Sequence, residues 1–442
     1  MDKQIKRLPE DFVFGVATSS YQIEGTQFGN CGRSHWDDFA DKPNKVYQNE
    51  NGLIACDHYN RWAQDLDLVK DAGFDAYRFS FAWPRILPEN NKDINQEGIA
   101  FYDRLIDGML ERGLDPVGTL YHCDLPSRLA NNRRWTSRET PPRFGDYTDL
   151  VMNHFKDRLE TIAPINEPWC AAWLSHYLGA HAPGLQDISA AAKAMHYIQL
   201  AHGLSIEVMR GHSLKNLGCV VNKEFAVPVD DSEEAKRLAN LHDGIYNRWF
   251  DDSLFKGHYP KDVLELLGEH LPKNYEEDMP IISQELDWIG INYYTRAVIA
   301  PDPNEPHIGY KLVSGELTKT DMGWEIEPEG LSFFLRRFAN EYAPNVPIYI
   351  TENGMANKET ITPNGINDVE RISYFQGHLE QVANLVEDGV PIAGYFAWSL
   401  LDNYEWAFGY DKRFGIVHVD FETLERTPKQ SYLVWQAALN NA

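Results

Sequence analysis

Two glutamates each stand at the end of a short, strongly apolar run. Glu352 lies near the end of the run 347–353, PIYITEN, and Glu167 directly follows the run 162–166, IAPIN. A carboxylate in that place is either a residue that has reached solvent or one that a buried strand positions for chemistry. The residues at the other strand ends decide between these two interpretations.

Two carboxyl groups that face each other across a cleft are able to hydrolyse a glycosidic bond. One protonates the leaving oxygen, while the other attacks the anomeric carbon or activates a water molecule. A separation of about 5–5.5 Å between the carboxyls gives retention of configuration, and one of about 6.5–9.5 Å gives inversion. The sequence does not give this separation, so both stereochemical outcomes stay open at this point.

Eight apolar runs are candidates for the strands that position these groups. Each run is continuous rather than alternating, which is typical of strands buried on both faces. They cover residues 12–18, 76–81, 115–122, 162–166, 217–223, 287–294, 347–353 and 392–399.

Amphipathic stretches with helical spacing separate the runs. The clearest spans 97–112 and ends at Gly113; its apolar face holds Ile99, Tyr102, Leu105, Ile106, Met109 and Leu110. A second spans 59–72 and is followed by Gly73, a residue type that commonly follows a helix.

Eight strands alternating with helices predict a closed barrel. Strand-helix-strand units are right-handed, and a count of eight favours a single (β/α)8 TIM barrel over residues 1–442, with elaborated βα loops such as 226–234 and 300–310. A doubly wound sheet is the alternative, but no G-x-G-x-x-G follows the first run.

Charge and composition narrow the class of partner. The chain carries 41 Lys and Arg against 66 Asp and Glu, a formal charge of -25, which disfavours binding to nucleic acid and to anionic membranes. With a mean hydropathy of -0.46 and no apolar run near ~18 residues, the sequence does not predict a membrane span. A neutral small molecule is the expected ligand.

Cysteine usage and the first residues predict a cytoplasmic protein. The five cysteines are odd in number and contain no C-x-x-C pair, and no apolar segment follows the N-terminal MDKQIKRLPEDF. No metal and no organic cofactor is implied. The oligomeric state stays open, with a homo-oligomer among the alternatives.

In a (β/α)8 barrel the reactive side chains lie at the C-terminal ends of the strands. Those ends carry Gln22, Glu24, Arg78, His122, Asn166, Glu167, Asn222, Asn292, Tyr294, Glu352 and Trp398, and Glu405 and Trp406 follow the last strand. We therefore expect polar and aromatic side chains to converge on one mouth, with Glu167 and Glu352 facing each other across it.

Nine motifs at these strand ends occur in a fixed order. They are FVFGVATSSYQIEG (12–25), YRFSFAWPRI (77–86), YHCDLP (121–126), INEPW (165–169), HAPG (181–184), GINYYT (290–295), MGWEI (322–326), YITENG (349–354) and WSLLDNYEWAFGYDKRFG (398–415). In these motifs the sequence resembles glycoside hydrolase family 1, the family of many β-glucosidases, from about Phe12 to Trp435.

The resemblance implies a retaining mechanism with a covalent glycosyl intermediate. Glu167 matches the acid/base of the family and Glu352 matches its nucleophile. Arg78 and Tyr294 match the partners of the nucleophile, which are expected to favour its ionised form. The pKa of Glu167 is expected to be raised, and to fall once the intermediate removes the charge of Glu352.

The resemblance also implies two groups of substrate-binding residues. Gln22, His122, Asn166, Glu405 and Trp406 match residues that bond the hydroxyls of the non-reducing sugar, with Asn292 nearby and Trp398 as the platform under the ring. Trp169, Leu174 and Trp324 match the wall on the aglycone side. Because apolar contacts dominate there, selectivity for the leaving group is expected to be loose.

The implied function is that of an exo-acting β-glucosidase, which removes terminal β-D-glucosyl residues from cellobiose and from aryl or alkyl β-glucosides, with β-galactoside and β-fucoside side activity. One alternative is a 6-phospho-β-glucosidase, whose branch tends to carry serine and lysine near the position of Glu405. A carboxylate there would repel a phosphate. The other alternative is a sugar-binding barrel without catalysis.

Four residues depart from the usual family pattern. Cys123 stands where a tryptophan is usual, and Arg133 and Arg134 stand where a glycine pair commonly occurs. Strand alternation places Cys123 on the opposite face from its neighbours, which argues against a metal site at His122. Pro164 has no N–H to donate, so a bulge is expected at the end of the fourth strand.

Overall fold

Eight parallel strands close into a barrel. In the computed structural model, which describes residues 1–88, 93–132, 134–363 and 365–441, they are Val13–Ala17, Ala76–Ser80, Asp115–Tyr121, Thr161–Ile165, Asn216–Pro228, Trp288–Pro301, Ile348–Asn353 and Ile392–Trp398. Each strand pairs with its sequence neighbours, and the first pairs with the eighth, so the sheet has no free edge between barrel strands. The predicted (β/α)8 barrel is confirmed. Arg133, one of the four residues that depart from the family pattern, lies outside the described residues.

Helices surround the barrel. They are Asp2–Ile5, Ser20–Ile23, His35–Ala40, His58–Asp71, Trp83–Ile86, Gln96–Glu111, Ser127–Asn132, Thr140–Phe155, Ile188–Gly211, Glu233–Asp243, Trp249–Phe255, Lys261–Leu267, Met279–Ile282, Pro328–Arg337, Val369–Glu387 and Gln430–Leu439. Three π-helical turns, Cys170–Leu174, Gly244–Arg248 and Phe338–Tyr342, adjoin them. In the described ranges no helix is both long enough and apolar enough to cross a bilayer.

The two helices predicted from periodicity form within one residue of their expected bounds. Gln96–Glu111 buries its apolar stripe, with the exception of Leu110. That residue lies in the last turn of the helix and is 44% exposed, so the predicted apolar face is not buried along its whole length. Gly113 and Gly73 follow the two helices with φ of 67° and 84°, a conformation that glycine adopts without a steric penalty.

The fifth and sixth strands are longer than predicted. They run side by side to Pro228 and Pro301, and the sixth turns back into an antiparallel pair with Tyr310–Val313. The expected loops 226–234 and 300–310 are therefore partly strand. Beyond the barrel the residues of the sixth strand alternate between buried and partly exposed, and residues 224–228 of the fifth are all partly exposed, so neither segment is continuously buried.

The fourth strand contains the bulge expected at Pro164. Ile162 pairs with Leu217 and Asn166 pairs with Val220, so a step of four residues in the fourth strand faces a step of three in the fifth. One extra residue is accommodated between these pairs, which bends and twists a strand locally.

The seventh strand ends in a tightly held turn. Asn353, the last residue of this strand, donates from its side-chain Nδ2 to the carbonyl oxygen of Tyr293 at 2.6 Å. At Gly354 a Cβ atom would lie 1.8 Å from the carbonyl oxygen of Trp398, so only glycine fits there. Glu352 is thus carried by a strand whose last residues are fixed to both neighbouring strands.

Candidate active site

A cavity of about 430 Å³ opens at the C-terminal ends of the barrel strands. Of the predicted site residues it is lined by His122, Asn166, Glu167, Trp169, Leu174, Tyr294, Trp324, Glu352, Trp398, Glu405 and Trp406. Gln22, Arg78 and Asn292 are fully buried and contact side chains of this lining. The structure therefore brings these residues together around one cavity. Glu24, which was also expected at the mouth, does not line it and is instead buried against Arg85 and Tyr102, from which it accepts hydrogen bonds.

Glu352 is buried and held by two strong donors. Arg78 donates from Nη1 to Oε1 at 2.5 Å, and the hydroxyl of Tyr294 donates to Oε2 at 2.6 Å. The second arm of the same guanidinium donates from Nη2 to Oδ1 of Asn166 at 2.7 Å. Both carboxylate oxygens are thus fixed, and charge-assisted bonds of this kind are roughly twice as strong as neutral ones.

Glu167 has a different pair of partners. The amide of Asn292 donates to Oε1 at 2.8 Å, and the thiol of Cys170 donates to Oε2 at 3.1 Å. The same amide also donates to Oδ1 of Asn166 at 3.0 Å, the oxygen that accepts from Arg78. Unlike Glu352, Glu167 has no cation among its hydrogen-bond partners in the described part of the chain.

The environment makes Glu167 a weaker acid than an ordinary glutamate. Burial raises the pKa of Glu167 to about 7, and the negative charge of Glu352 adds to the shift. The hydrogen bonds from Asn292 and Cys170 act in the opposite direction but do not cancel it. At neutral pH this carboxyl is therefore poised between its protonated and ionised forms.

The environment of Glu352 contains opposing contributions. Burial raises its pKa, whereas Arg78, Tyr294 and Asn292 lower it. Arg78 and Tyr294 thus act in the direction expected from the sequence, but burial outweighs them, and the net shift is upward. Because only this glutamate has a cationic partner, it is the one of the two that ionises first.

Glu405 lies beside the two glutamates and is bound by Gln22. Nε2 of Gln22 donates to Oε2 of Glu405 at 3.2 Å and also to Oδ1 of Asn403 at 2.9 Å. Burial, followed by the charge of Glu352, raises the pKa of Glu405 to about 8. The group is therefore largely protonated at neutral pH and has a hydroxyl to donate.

His122 has one ring nitrogen without a protein partner. Since Oδ1 of Asn166 accepts from Arg78, its Nδ2 is the atom that donates to Nε2 of His122 at 3.0 Å. The hydrogen of the ring is thereby assigned to Nδ1, which is buried and unpartnered within the described residues. The rings of Trp398 and Trp406 lie 5.9 and 6.2 Å from the imidazole centroid.

The expected aglycone wall lies in the same cavity. Trp169 packs at 4.1 Å between ring centroids against Tyr246, and Trp324 lies 5.8 Å from Tyr294, the partner of Glu352. Leu174 is partly buried in the lining. Aromatic and aliphatic side chains thus dominate this half.

The chain matches a known protein family and known relatives over nearly its whole length. The sequence profile of glycosyl hydrolase family 1 matches residues 4–442. The chain belongs to glycosyl hydrolase family 1. It is 46% identical over 440 residues to a β-glucosidase of Agrobacterium sp. (strain ATCC 21400), a match that covers 98% of this chain and 95% of that protein.

Two further proteins extend the comparison. A bifunctional β-D-glucosidase/β-D-fucosidase of Bifidobacterium breve is 37% identical over 450 residues, covering 96% of each chain. The structure of a family 1 β-glucosidase from Thermotoga maritima in complex with isofagomine lactam superposes with a TM-score of 0.94 at 41% identity, covering 98% of each chain. The likeness extends over nearly the whole of each protein.

This family 1 chain has polar lining residues that sequence reasoning missed. Nε2 of His242 lies 2.8 Å from Oε2 of Glu224, and its Nδ1 lies 3.0 Å from the hydroxyl of Tyr310. All three line the same cavity as Glu167 and Glu352, together with Asn222. They were missed because Glu224 lies past the predicted end of the fifth strand and the other two lie on segments that follow it.

Consecutive residues line the cavity at several points, and at three of them a left-handed residue explains why both members of the pair face it. The pairs are His122 with Cys123, Asn166 with Glu167, and Glu405 with Trp406. In each pair the second residue has left-handed backbone, with φ of 64°, 47° and 50°. The predicted position of Cys123 on the opposite face was therefore wrong, because the strand ends at Tyr121 and alternation no longer holds.

One cluster in the described part of the chain has the residue types of a metal site. It consists of Glu359, Asp402 and His418. Lys429 Nζ lies 2.5 Å from Glu359 and 2.7 Å from Asp402, and Arg413 donates to Asp402 at 2.8 Å. Two protein cations already neutralise these carboxylates, so the cluster is better described as a buried ion network.

Proposed function

We propose that this family 1 chain is a retaining, exo-acting β-glucosidase that removes terminal β-D-glucosyl residues from cellobiose and from aryl or alkyl β-glucosides. The proposal is carried by the unequal surroundings of two buried glutamates in one cavity. Glu352 is fixed by the cation of Arg78 and the hydroxyl of Tyr294, whereas Glu167 has a pKa of about 7. Retaining hydrolysis needs such a difference between nucleophile and acid.

In the first step the ionised Glu352 attacks the anomeric carbon while Glu167 protonates the leaving oxygen. The covalent ester that forms has no negative charge. Since the charge of Glu352 contributes to the raised pKa of Glu167, that pKa falls in the intermediate. Glu167 then acts as the base that removes a proton from water, and the water releases the sugar with its original configuration.

Recognition of the sugar is assigned to the groups around His122. Its Nδ1–H is a buried donor that has no partner among the described residues, and leaving such a group unpaired is costly. The imidazole lies in the cavity wall, where the indole of Trp398 offers a flat apolar face to the sugar ring. Glu405 supplies a second polar partner beside Gln22.

The unphosphorylated sugar is favoured over a 6-phosphorylated one. Among the described lining residues the fixed cation is Lys223, and its Nζ is already paired with Asp251 at 2.5 Å inside the protein. A phosphate would meet the negative charge of Glu352 without a free cation among these lining residues to bind it. The β-fucosidase named in the Bifidobacterium breve relative supports the proposed β-fucoside side activity, and β-galactoside activity stays a prediction.

Hydrolysis of 4-nitrophenyl β-D-glucoside tests the proposal. We expect turnover by the wild type, near-background rates for Glu352→Gln, and a loss of about 10²–10⁴-fold for Glu167→Gln with substrates whose leaving group needs a proton. Full activity of Glu352→Gln would refute the assigned nucleophile. Turnover of the 6-phosphorylated substrate alone would favour the phospho-glycosidase, and glucose binding without any turnover would favour a binding protein.

The stereochemical outcome is a second measurement. Proton NMR of the first sugar released is expected to show the β-anomer, because two inversions restore the configuration. An initial α-anomer would contradict the retaining mechanism while leaving the glucosidase activity itself intact.

A further inference from the structure

Cys170 is the side chain next to Glu167 that neither the family motifs nor the proposed mechanism uses. It lies three residues further on, at the start of the π-helical turn Cys170–Leu174, and it lines the cavity. Its backbone N–H donates to the carbonyl oxygen of Glu167 at 3.0 Å, and its Sγ lies 3.1 Å from Oε2 of the same residue. The backbone bond holds the two residues one helical turn apart, which places their side chains within reach of each other.

The two partners of Glu167 differ in what they are able to do. Nδ2 of Asn292 contacts Oε1 and is only able to donate. The amide group cannot flip by 180°, because its Oδ1 accepts a hydrogen bond from Thr351 at 2.7 Å. A thiol is a weak donor and also a weak acceptor, and its hydrogen rotates about the C–S bond. When Glu167 gains a proton, Oε2 is therefore the oxygen that can carry it.

We propose that Cys170 is a positioning residue that keeps the transferable proton of Glu167 on Oε2. It accepts a hydrogen bond from the carboxylic acid and donates one to the carboxylate. No proton passes between the two groups. The only change is the rotation of the S–H bond as Glu167 exchanges its proton with the leaving group and with water.

Two features of the environment of the Cys170 sulfur support this role: the raised pKa of the thiol and the approach of Asn222. Burial and the nearby carboxyls raise the pKa of Cys170 well above its usual range, so the thiol stays protonated through both half-reactions. Nδ2 of Asn222 approaches Sγ at 3.9 Å, which suits a sulfur that keeps an acceptor lone pair. The inference rests on the proposed role of Glu167 as acid and base.

Three variants give an ordered test. Cys170→Ala removes the donor to the carboxylate, and Cys170→Ser replaces it with a stronger donor of similar shape. In the alanine variant we expect the basic limb of the pH profile of kcat/KM to move upward by about half a pH unit, which corresponds to a ~3-fold change in the protonation equilibrium of Glu167. In the serine variant we expect the same limb to move downward. Cys31→Ala, which removes a thiol outside the cavity lining, is the matched control and should leave the limb unchanged.

The choice of substrate separates positioning from structure. Alkyl β-glucosides need protonation of the leaving oxygen, whereas 2,4-dinitrophenyl β-glucoside does not, so Cys170→Ala should lower the rate of glycosylation several-fold for the first class only. Equal losses for both substrates, or the same basic limb in all three variants, would overturn the inference. Activity that survives Glu352→Gln would instead refute the proposed function, so the two failures are distinguishable.

Discussion

Arg78 and Glu352 are joined by a 2.5 Å ion pair although two barrel strands lie between theirs in the sheet. Arg78 belongs to the second strand and Glu352 to the seventh, and the other arm of the guanidinium reaches Asn166 after the fourth. One buried side chain therefore connects three walls of the cavity. Displacing any of these strands would disturb the position of the proposed nucleophile.

Tyr294→Phe is expected to shift the acidic limb of the pH profile. The hydroxyl of Tyr294 lowers the pKa of Glu352, so its removal raises that pKa, and activity that needs the ionised form is lost at a higher pH. A bond to a charged group is worth about 1.5–3 kcal/mol, which corresponds to a shift of about one to two pH units in kcat/KM.

Tyr395→Phe serves as the control for that shift. Its hydroxyl is also buried and donates to Oδ1 of Asn353, the neighbour of Glu352, but it does not touch the carboxylate. Its acidic limb should match the wild type. An unchanged limb in Tyr294→Phe would show that the phenol does not stabilise the ionised glutamate.

Three large apolar side chains at the mouth predict a preference for long alkyl aglycones. Leu178, Leu312 and Phe408 line the cavity yet are 42%, 55% and 42% exposed, so they form its rim. The glycosidic bond must lie between the two glutamates, and the leaving group therefore extends toward this rim. Each methylene that becomes buried there contributes at most about 0.8 kcal/mol, or roughly 4-fold.

The measurement is kcat/KM along methyl, butyl, hexyl and octyl β-D-glucoside. We expect it to rise with chain length in the wild type and to rise less in Leu312→Ser and Phe408→Ser. Ile361→Ser, an exposed residue outside the cavity lining, should keep the wild-type slope. A flat series in the wild type, or a rise along cello-oligosaccharides instead, would contradict an apolar rim.

Removing one partner of a buried ion pair is expected to destabilise the fold. Lys223 and Asp251 are both inaccessible, and their Nζ and Oδ1 atoms are 2.5 Å apart. Burial lowers the pKa of Lys223 and raises that of Asp251, so desolvation opposes the pair. Lys223→Met leaves an unpaired carboxylate and should lower the free energy of unfolding by about 3–5 kcal/mol, measured by urea denaturation.

Two further variants serve as controls for the Lys223→Met measurement. Lys6→Met, which breaks the half-exposed pair with Asp2, should cost about 0–1 kcal/mol. The double variant Lys223→Met/Asp251→Leu removes both charges and should recover most of the lost stability. If the single and double variants were equally unstable, the loss would have to come from packing instead of charge.

The barrel was predictable because its strands are buried on both faces. A short apolar run such as 348–350 is a clear signal, and the bounds of the strands followed from such runs within one residue, except at the ends of the fifth and sixth strands. Beyond the barrel the same signal fails. The ends of the fifth and sixth strands are partly exposed, so their composition matches that of a loop.

The candidate site was predictable where side chains sit at strand ends. Glu167 and Glu352 were found this way, but Cys170 was missed because it belongs to the helical turn after the strand. Cys123 was misplaced because period-two alternation ends with the strand. The organisation as one domain over 1–442, the homo-oligomer and the cytoplasmic location stay predictions from the sequence.

Left-handed backbone at Cys123, Glu167 and Trp406 has a consequence for protein engineering. In a saturation library at Cys123, each substitution is filtered first by the backbone and only then by the sugar. Glycine, asparagine and aspartate tolerate this conformation, whereas valine, isoleucine and threonine do not. Variants with β-branched residues would disappear from such a screen through misfolding, and their absence would say nothing about substrate preference.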